Sequence, residues 1–210
     1  MKYSILDKFK LDGNIALVTG GGRGLGRGFS HALAEAGADV AVADIDGESA
    51  EKVKNEILKT GRRSIAVQAD ISKEESVDHM IAYVNSELGP LDIAVNNAGI
   101  SLPIKEARSL NIDDWNIQMD VNLKGTFMCV KAEAETMIPR KYGKIINIAS
   151  ICGHIVWPEP QALYSTSKAG IIHLTRCLSA EYIKYGIRIN SISPGVTRVE
   201  HLFEEVIPVY

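Results

Sequence analysis

Cysteine is scarce in this chain. Cys129, Cys152 and Cys177 are the only three in 210 residues; they are odd in number, widely spaced and form no CxxC pair. A disulfide framework is therefore not expected and a thiolate metal site is not either, so the three read as small buried thiols. Long apolar runs are missing too. No window approaches the ~18 consecutive apolar residues of a membrane span, and the first ten residues lack the apolar core of a signal peptide, so the chain reads as soluble and cytoplasmic, with no membrane partner. Neither sign of charge dominates: 23 Lys and Arg stand against 26 Asp and Glu, a net charge of −3. The basic residues are scattered rather than striped, which argues against a nucleic-acid partner. Internal repeats, low-complexity tracts and linkers are absent, and a chain that is 46% hydrophobic can bury one sizeable core, so a single domain is expected over 1–210.

What the sequence does contain is an alternation. Ile15–Thr19, Asp39–Ala43, Ser64–Gln68, Leu91–Asn96, Lys144–Ala149 and Arg188–Ile192 are short runs rich in Val and Ile at successive positions, the pattern of strands buried on both faces in a parallel sheet. Between them lie helical patterns over Leu25–Ala36, Glu48–Thr60, Lys73–Leu88, Ile112–Ile138 and Ala162–Tyr185. Gly37, Gly61 and Gly89 sit just past helix ends, and Ser72 followed by Glu75 reads as a capping box. Right-handed crossovers wind such units into an α/β fold, a doubly wound parallel sheet with helices on both faces.

The first chemical signal is the turn Thr19-Gly20-Gly21-Gly22-Arg23-Gly24-Leu25-Gly26, between the first strand and the first helix. Glycines there let the backbone approach a pyrophosphate, and free N–H groups at the helix start favour its negative charge. Asp44 ends the second strand, where a carboxylate meets the ribose 2′-hydroxyl of NAD and repels the extra phosphate of NADP. Arg23 could instead pair with that phosphate; NAD is favoured over NADP. Asp70-Ile71 and Asn96-Asn97-Ala98-Gly99 follow the third and fourth strands, at the carboxyl ends where ligands of an open α/β sheet sit.

These segments, with Tyr164-Ser165-Thr166-Ser167-Lys168 and Ser193-Pro194-Gly195, occur in the order and spacing of the classical short-chain dehydrogenase/reductase family, which the chain resembles from about Leu11 to Thr197. The resemblance implies an NAD(P)-dependent oxidoreductase and a homodimer or homotetramer. It implies Gly20, Arg23, Gly24, Leu25, Gly26, Asp44, Asp70, Ile71, Asn97, Ala98 and Gly99 as cofactor residues, joined by Tyr164 and Lys168, with Pro194, Gly195, Val196 and Thr197 holding the nicotinamide carboxamide. It also implies Asn122 as the asparagine that organises a water-mediated proton path to the lysine.

The residues support the chemistry independently. Tyr164 and Lys168 are four apart on a helical pattern and project from one face. Moving a phenol from a pKa of about 10 to neutrality means favouring phenolate by roughly 4 kcal/mol, and the neighbouring ammonium is the local source expected for it. Tyr164 can then act as general base toward an alcohol or general acid toward a carbonyl. Ser150 ends the fifth strand and can hydrogen-bond the substrate oxygen where charge develops. The catalytic set is thus Asn122, Ser150, Tyr164 and Lys168, and no metal is expected.

The segment Cys152–Gln161 joins the serine strand to the tyrosine helix and mixes Trp157 with His154, Glu159 and Gln161, groups able to hydrogen-bond several hydroxyls. It is similar to relatives acting on sugar alcohols and ketoses, so a polyol or ketose is the leading small-molecule substrate, ahead of a steroid or acyl-thioester ketone. Relatives normally continue through a substrate-covering helix pair and a seventh strand, whereas here only Val199–Tyr210 follows, with Leu202, Phe203, Val206 and Ile207 at near-helical spacing. The sequence therefore reads as C-terminally shortened and lacking the seventh strand. The alternative function is a catalytically impaired nucleotide-binding or interaction protein.

Overall fold

The computed structural model describes residues 4–199; Leu202, Phe203, Val206 and Ile207 lie outside that range. Six strands, β1 (Ile15–Thr19), β2 (Asp39–Asp44), β3 (Ser64–Gln68), β4 (Ile93–Asn96), β5 (Gly143–Ile148) and β6 (Ile187–Ile192), form one sheet in the order β3-β2-β1-β4-β5-β6. Every pairing is parallel, and no seventh strand occurs among the described residues. The order reverses between β1 and β4. That is the switch point, where crossovers leave to opposite faces and open a crevice at the carboxyl ends of the strands. In register, Thr19 of β1 lies opposite Asn96 of β4, so the glycine turn and the Asn97-Ala98-Gly99 segment emerge side by side.

Helices α1 (Gly24–Glu35) and α2 (Gly47–Leu58) cover one face, and α3 (Glu74–Glu87), α5 (Thr126–Met137) and α6 (Ala162–Tyr182) the other. Leu17, Ala41, Val67, Met80, Cys129, Val130 and Ile145 pack into the α3/α5/α6 layer. Val18, Val40, Val42, Val53, Ile57 and Val95 pack into the α1/α2 layer. β1 and β4 are buried at every position, as two-sided strands require. β6 differs from that expectation: Ile187 and Ile189 are buried while Arg188 and Asn190 are exposed, an alternation that marks one solvated face.

Two further expectations are corrected. The helical pattern over Ile112–Ile138 is not one α-helix, because α4 (Ile112–Met119) passes through a π turn, Asp120–Gly125, into α5, and Ile138–Arg140 is a 3-10 turn. Ser72 does not cap α3; Lys73 occupies that position without a side-chain bond. The Ser72 hydroxyl instead donates to Asp70 Oδ1 at 2.7 Å, the shorter-range bond that a turn serine makes. Gly37, Gly61 and Gly89 all have positive φ, as helix-ending glycines should. No helix among the described residues is long and apolar enough to cross a membrane.

Candidate active site

The crevice at the switch point is a groove of about 280 Å³. Gly20, Arg23, Leu25, Gly26, Asp44, Asp70, Ile71, Asn97, Ala98 and Gly99 all line it. Its shape depends on missing side chains: a Cβ on Gly26 would stand 1.9 Å from the Gly20 carbonyl oxygen, and one on Gly20 would stand 2.8 Å from Ala98 Cα. Asn97 fastens the two walls together, its Nδ2 donating to the carbonyls of Thr19 and Gly20 at 3.1 and 3.0 Å. Thr19 answers from the other side, its hydroxyl accepting the N–H groups of Asn97 and Ala98 at 3.1 and 3.2 Å. The strand-ending position of Thr19 beside the asparagine segment was the available sequence signal for this role.

The groove fits a dinucleotide on two observations. α1 begins at Arg23 with no side-chain cap and its first-turn residues Leu25 and Gly26 line the groove, so the helix start is available to an anion there. At the far end Asp44 is 5% exposed. Its Oδ2 accepts Gly22 N–H at 2.9 Å and its Oδ1 accepts Asp46 N–H at 3.1 Å. A carboxylate offers about four lone-pair sites, so the two bonds that anchor the turn leave acceptor capacity toward a ribose hydroxyl.

Gly99 leads from the groove to Asn122, Ser150, Tyr164 and Lys168. A Cβ there would meet Asn122 Oδ1 at 3.2 Å and Lys168 Nζ at 3.5 Å, so glycine keeps the path between the two open. Lys168 is 5% exposed; its Nζ donates to the Ile148 carbonyl at 2.9 Å and sits 5.7 Å from the Tyr164 ring centroid. Ser150 caps a 3-10 turn by accepting Cys152 N–H at 3.2 Å, which holds its hydroxyl beside Tyr164. Asn122 lies in the π turn, fully buried. Its Oδ1 accepts Ile100 N–H at 2.8 Å, and its Nδ2 donates to the Ile100 carbonyl at 2.9 Å and to Ser167 Oγ at 3.0 Å.

The electrostatics reverse one expectation. Burial pushes the Tyr164 phenol above its ordinary value of 10, with the Ser150 hydroxyl working against the shift. Burial also lowers Lys168 to about 8. Burial, and not the neighbouring ammonium, sets the direction of the Tyr164 shift.

Tyr164 also lines a second, smaller cleft with Ser101, Leu102, Gln118 and Gln161. Of the polar residues in the loop before α6, Gln161 lines this cleft, while His154 turns to Ser193, with Nε2 3.0 Å from its Oγ. Pro194, Gly195, Val196 and Thr197 do not line the groove. Pro194 is tied to the serine loop, its carbonyl accepting Ile151 N–H at 3.0 Å, and the Thr197 hydroxyl donates to the Gly195 carbonyl at 3.2 Å.

Behind the site runs a buried polar chain absent from the sequence reading. Glu133 on α5, fully buried, accepts at Oε2 from Asn96 Nδ2 at 3.0 Å. Asn96 Nδ2 also donates to Asn147 Oδ1 at 3.0 Å, and Asn147 Nδ2 to Thr175 Oγ1 at 3.0 Å. Glu133 Oε1 and Asn96 Oδ1 are left without partners among the described residues, and burial raises Glu133 to about 8.

Comparison with known proteins places this geometry in a wider set. A family model described as short chain dehydrogenase matches residues 14–206. The chain is 40% identical to galactitol 2-dehydrogenase of Rhizobium johnstonii over 91% of its own length and 74% of the relative's. It is 38% identical to 3-oxoacyl-[acyl-carrier-protein] reductase of Synechocystis, over 88% and 74% respectively. Among solved structures, an NAD+-bound xylitol dehydrogenase superposes with a TM-score of 0.86 at 34% identity, covering 89% of this chain and 71% of that one.

Proposed function

The chain belongs to the short-chain dehydrogenase family, whose members are oxidoreductases that bind NAD(P), and from that premise we propose that it interconverts a secondary alcohol and a ketone of the polyol or ketose class, using NAD. The observation that carries this is the convergence of Ser150, Tyr164 and Lys168 beside a groove lined by the glycine turn and Asp44.

Bound NAD would accept the hydride when an alcohol is oxidised, and bound NADH would supply it when a ketone is reduced; the protein supplies orientation and proton transfer. Gly20, Gly24, Leu25 and Gly26 would hold the pyrophosphate, Asp44 the adenine ribose, and Asn97, Ala98 and Gly99 the nicotinamide end. In the ketone-reducing direction, the Tyr164 phenol, held protonated by burial, donates its proton to the carbonyl oxygen while the Ser150 hydroxyl hydrogen-bonds the same oxygen as charge develops. In the oxidising direction Tyr164 takes the alcohol proton, with the Ser150 hydroxyl working against the burial that opposes phenolate. Lys168 at about 8 is still mostly protonated at pH 7, and its ammonium lies beside Gly99, across from Asn122.

Support for a hydroxylated substrate comes from Ser101 and Gln161 in the cleft beside Tyr164 and from the polyol dehydrogenases among the relatives. Cytoplasmic placement and a homo-oligomer pairing the helices around Asn122–Met137 and Ser167–Tyr185 complete the reading; light scattering at micromolar concentration tests the latter. An NADH fluorescence titration followed by a panel of galactitol, xylitol and the matching ketoses tests the function. Oxidation of a polyol with NAD and little activity with NADP is the expected result, and NADH binding with turnover only of an acyl-thioester or steroid ketone would overturn the substrate reading.

A further inference from the structure

The segment after β4 has no ladder to satisfy its backbone, and buried N–H and C=O groups must be paired somewhere. Ile100 lines the dinucleotide groove, and its neighbours Ser101 and Leu102 line the cleft with Tyr164, so these three residues are the wall between the two compartments. Two side-chain amides, four positions apart on the α4/π-turn helix, hold that wall. Asn122 pairs with both backbone groups of Ile100. Gln118, 1% exposed, donates from Nε2 to the Ile100 carbonyl at 2.7 Å and accepts Leu102 N–H on Oε1 at 3.2 Å.

We propose that Gln118 is a positioning residue for substrate recognition, because its two bonds bracket Ser101 and so fix the face that the wall presents to the cleft beside Tyr164. Asn122 reaches on to Ser167 of α6, the helix carrying Tyr164 and Lys168, whereas the Gln118 amide bonds to the wall at Ile100 and Leu102. Losing Gln118 therefore loosens the substrate side while Asn122 continues to hold Ile100 against the cofactor side. An apolar replacement leaves Leu102 N–H without its acceptor. A glutamate keeps that acceptor but can donate to the Ile100 carbonyl only when protonated. The proposal rests on the cleft being the substrate site.

The test compares wild type with Gln118→Met and Gln118→Glu in the full chain, measuring NADH affinity, kcat and KM for galactitol with NAD, and amide hydrogen exchange across residues 97–105. Gln118→Met should raise KM tenfold or more, with kcat and NADH affinity changing by less than about threefold, and the Leu102 amide should lose at least tenfold in protection while exchange in β1 and β5 stays as in wild type. Gln118→Glu should show KM rising with pH as its carboxyl ionises, a dependence absent from wild type. Equal changes in kcat and KM, unaltered Leu102 protection, or faster exchange throughout the chain would each overturn the assignment, the last by showing a merely structural core residue. If wild type turns over none of the polyols and ketoses of the panel, the polyol reading fails on its own and the exchange arm still decides whether Gln118 holds the wall.

Discussion

Glu133→Gln is the substitution for which the structure gives a worked magnitude. The carboxyl is fully buried, is hydrogen-bonded by Asn96, and shows no nearby cation among the causes of its shift. The one titratable group coupled to it is Cys129 of the same helix. Burial raises it from 4.5 to about 8, so between those values the folded protein holds a proton that the unfolded chain releases. Stability from this group is therefore fully present below pH 4.5 and is lost as pH rises through 8. At 1.36 kcal/mol per unit, the loss is roughly 5 kcal/mol over the whole window and about 3 kcal/mol between pH 5.5 and 8, a large share of the 5–15 kcal/mol typical of a domain. Glutamine removes the titration and supplies an N–H where Glu133 Oε1 and Asn96 Oδ1 now lack a donor. Urea denaturation followed by circular dichroism at fixed protein concentration, from pH 5.5 to 8, should show wild type weakening relative to Glu133→Gln by about 3 kcal/mol. Lys168, lowered from 10.5 to about 8, shifts stability only above this window, between pH 8 and 10.5, and is common to both proteins, so the difference isolates Glu133. Parallel curves would refute the reasoning.

Three other substitutions probe the groove and Tyr164. Tyr164→Phe should abolish turnover with NADH affinity nearly intact, read by fluorescence titration beside the activity assay; appreciable residual rate would point to a different acid–base group. Asp44→Ala should narrow the preference for NAD over NADP and also lower stability by about 1–3 kcal/mol, because the Gly22 N–H loses its buried acceptor; unchanged preference removes Asp44 from cofactor selection. Gly26→Ala should eliminate measurable NADH binding, since its Cβ would fall 1.9 Å from the Gly20 oxygen; wild-type affinity would mean that the turn adapts.

Strand positions and the glycine turn were legible because each is written locally. Val and Ile at successive positions mark two-sided strands, and glycines between a strand and a helix mark a turn that admits no Cβ. The alternation Arg188, Asn190 against Ile187, Ile189 was also present, and it is what leaves β6 solvated on one face. Features set by tertiary surroundings were not legible. Glu133 in a helix reads as a solvated charge until α5 is known to lie on Asn96. The sign of the Tyr164 shift is set by burial, which residue spacing along the helix does not record. Gln118 looks like any polar helix residue, since its partners, Ile100 and Leu102, are coil backbone. The π turn left no distinct mark: Asp120, Val121, Asn122 and Gly125 are weak helix formers, but weak propensity alone does not separate a π turn from a strained α-helix.

That turn bears on how the gene can vary in length. A π turn is one extra residue inside an α-helix, and removing it restores regular geometry while rotating everything downstream by about 100°, the angle per residue of a 3.6-residue turn. Gln118 lies on one side of the insertion and Glu133 on the other, so a helix without it cannot present Gln118 to Ile100 and Glu133 to Asn96 together. A single-codon deletion within 120–125 would produce a helix more stable in isolation and a protein that misassembles, whereas loss of one residue from the solvated coil at 103–106 should be tolerated. Deletion scanning across 100–137 would see this as a narrow intolerant window centred on the irregular turn.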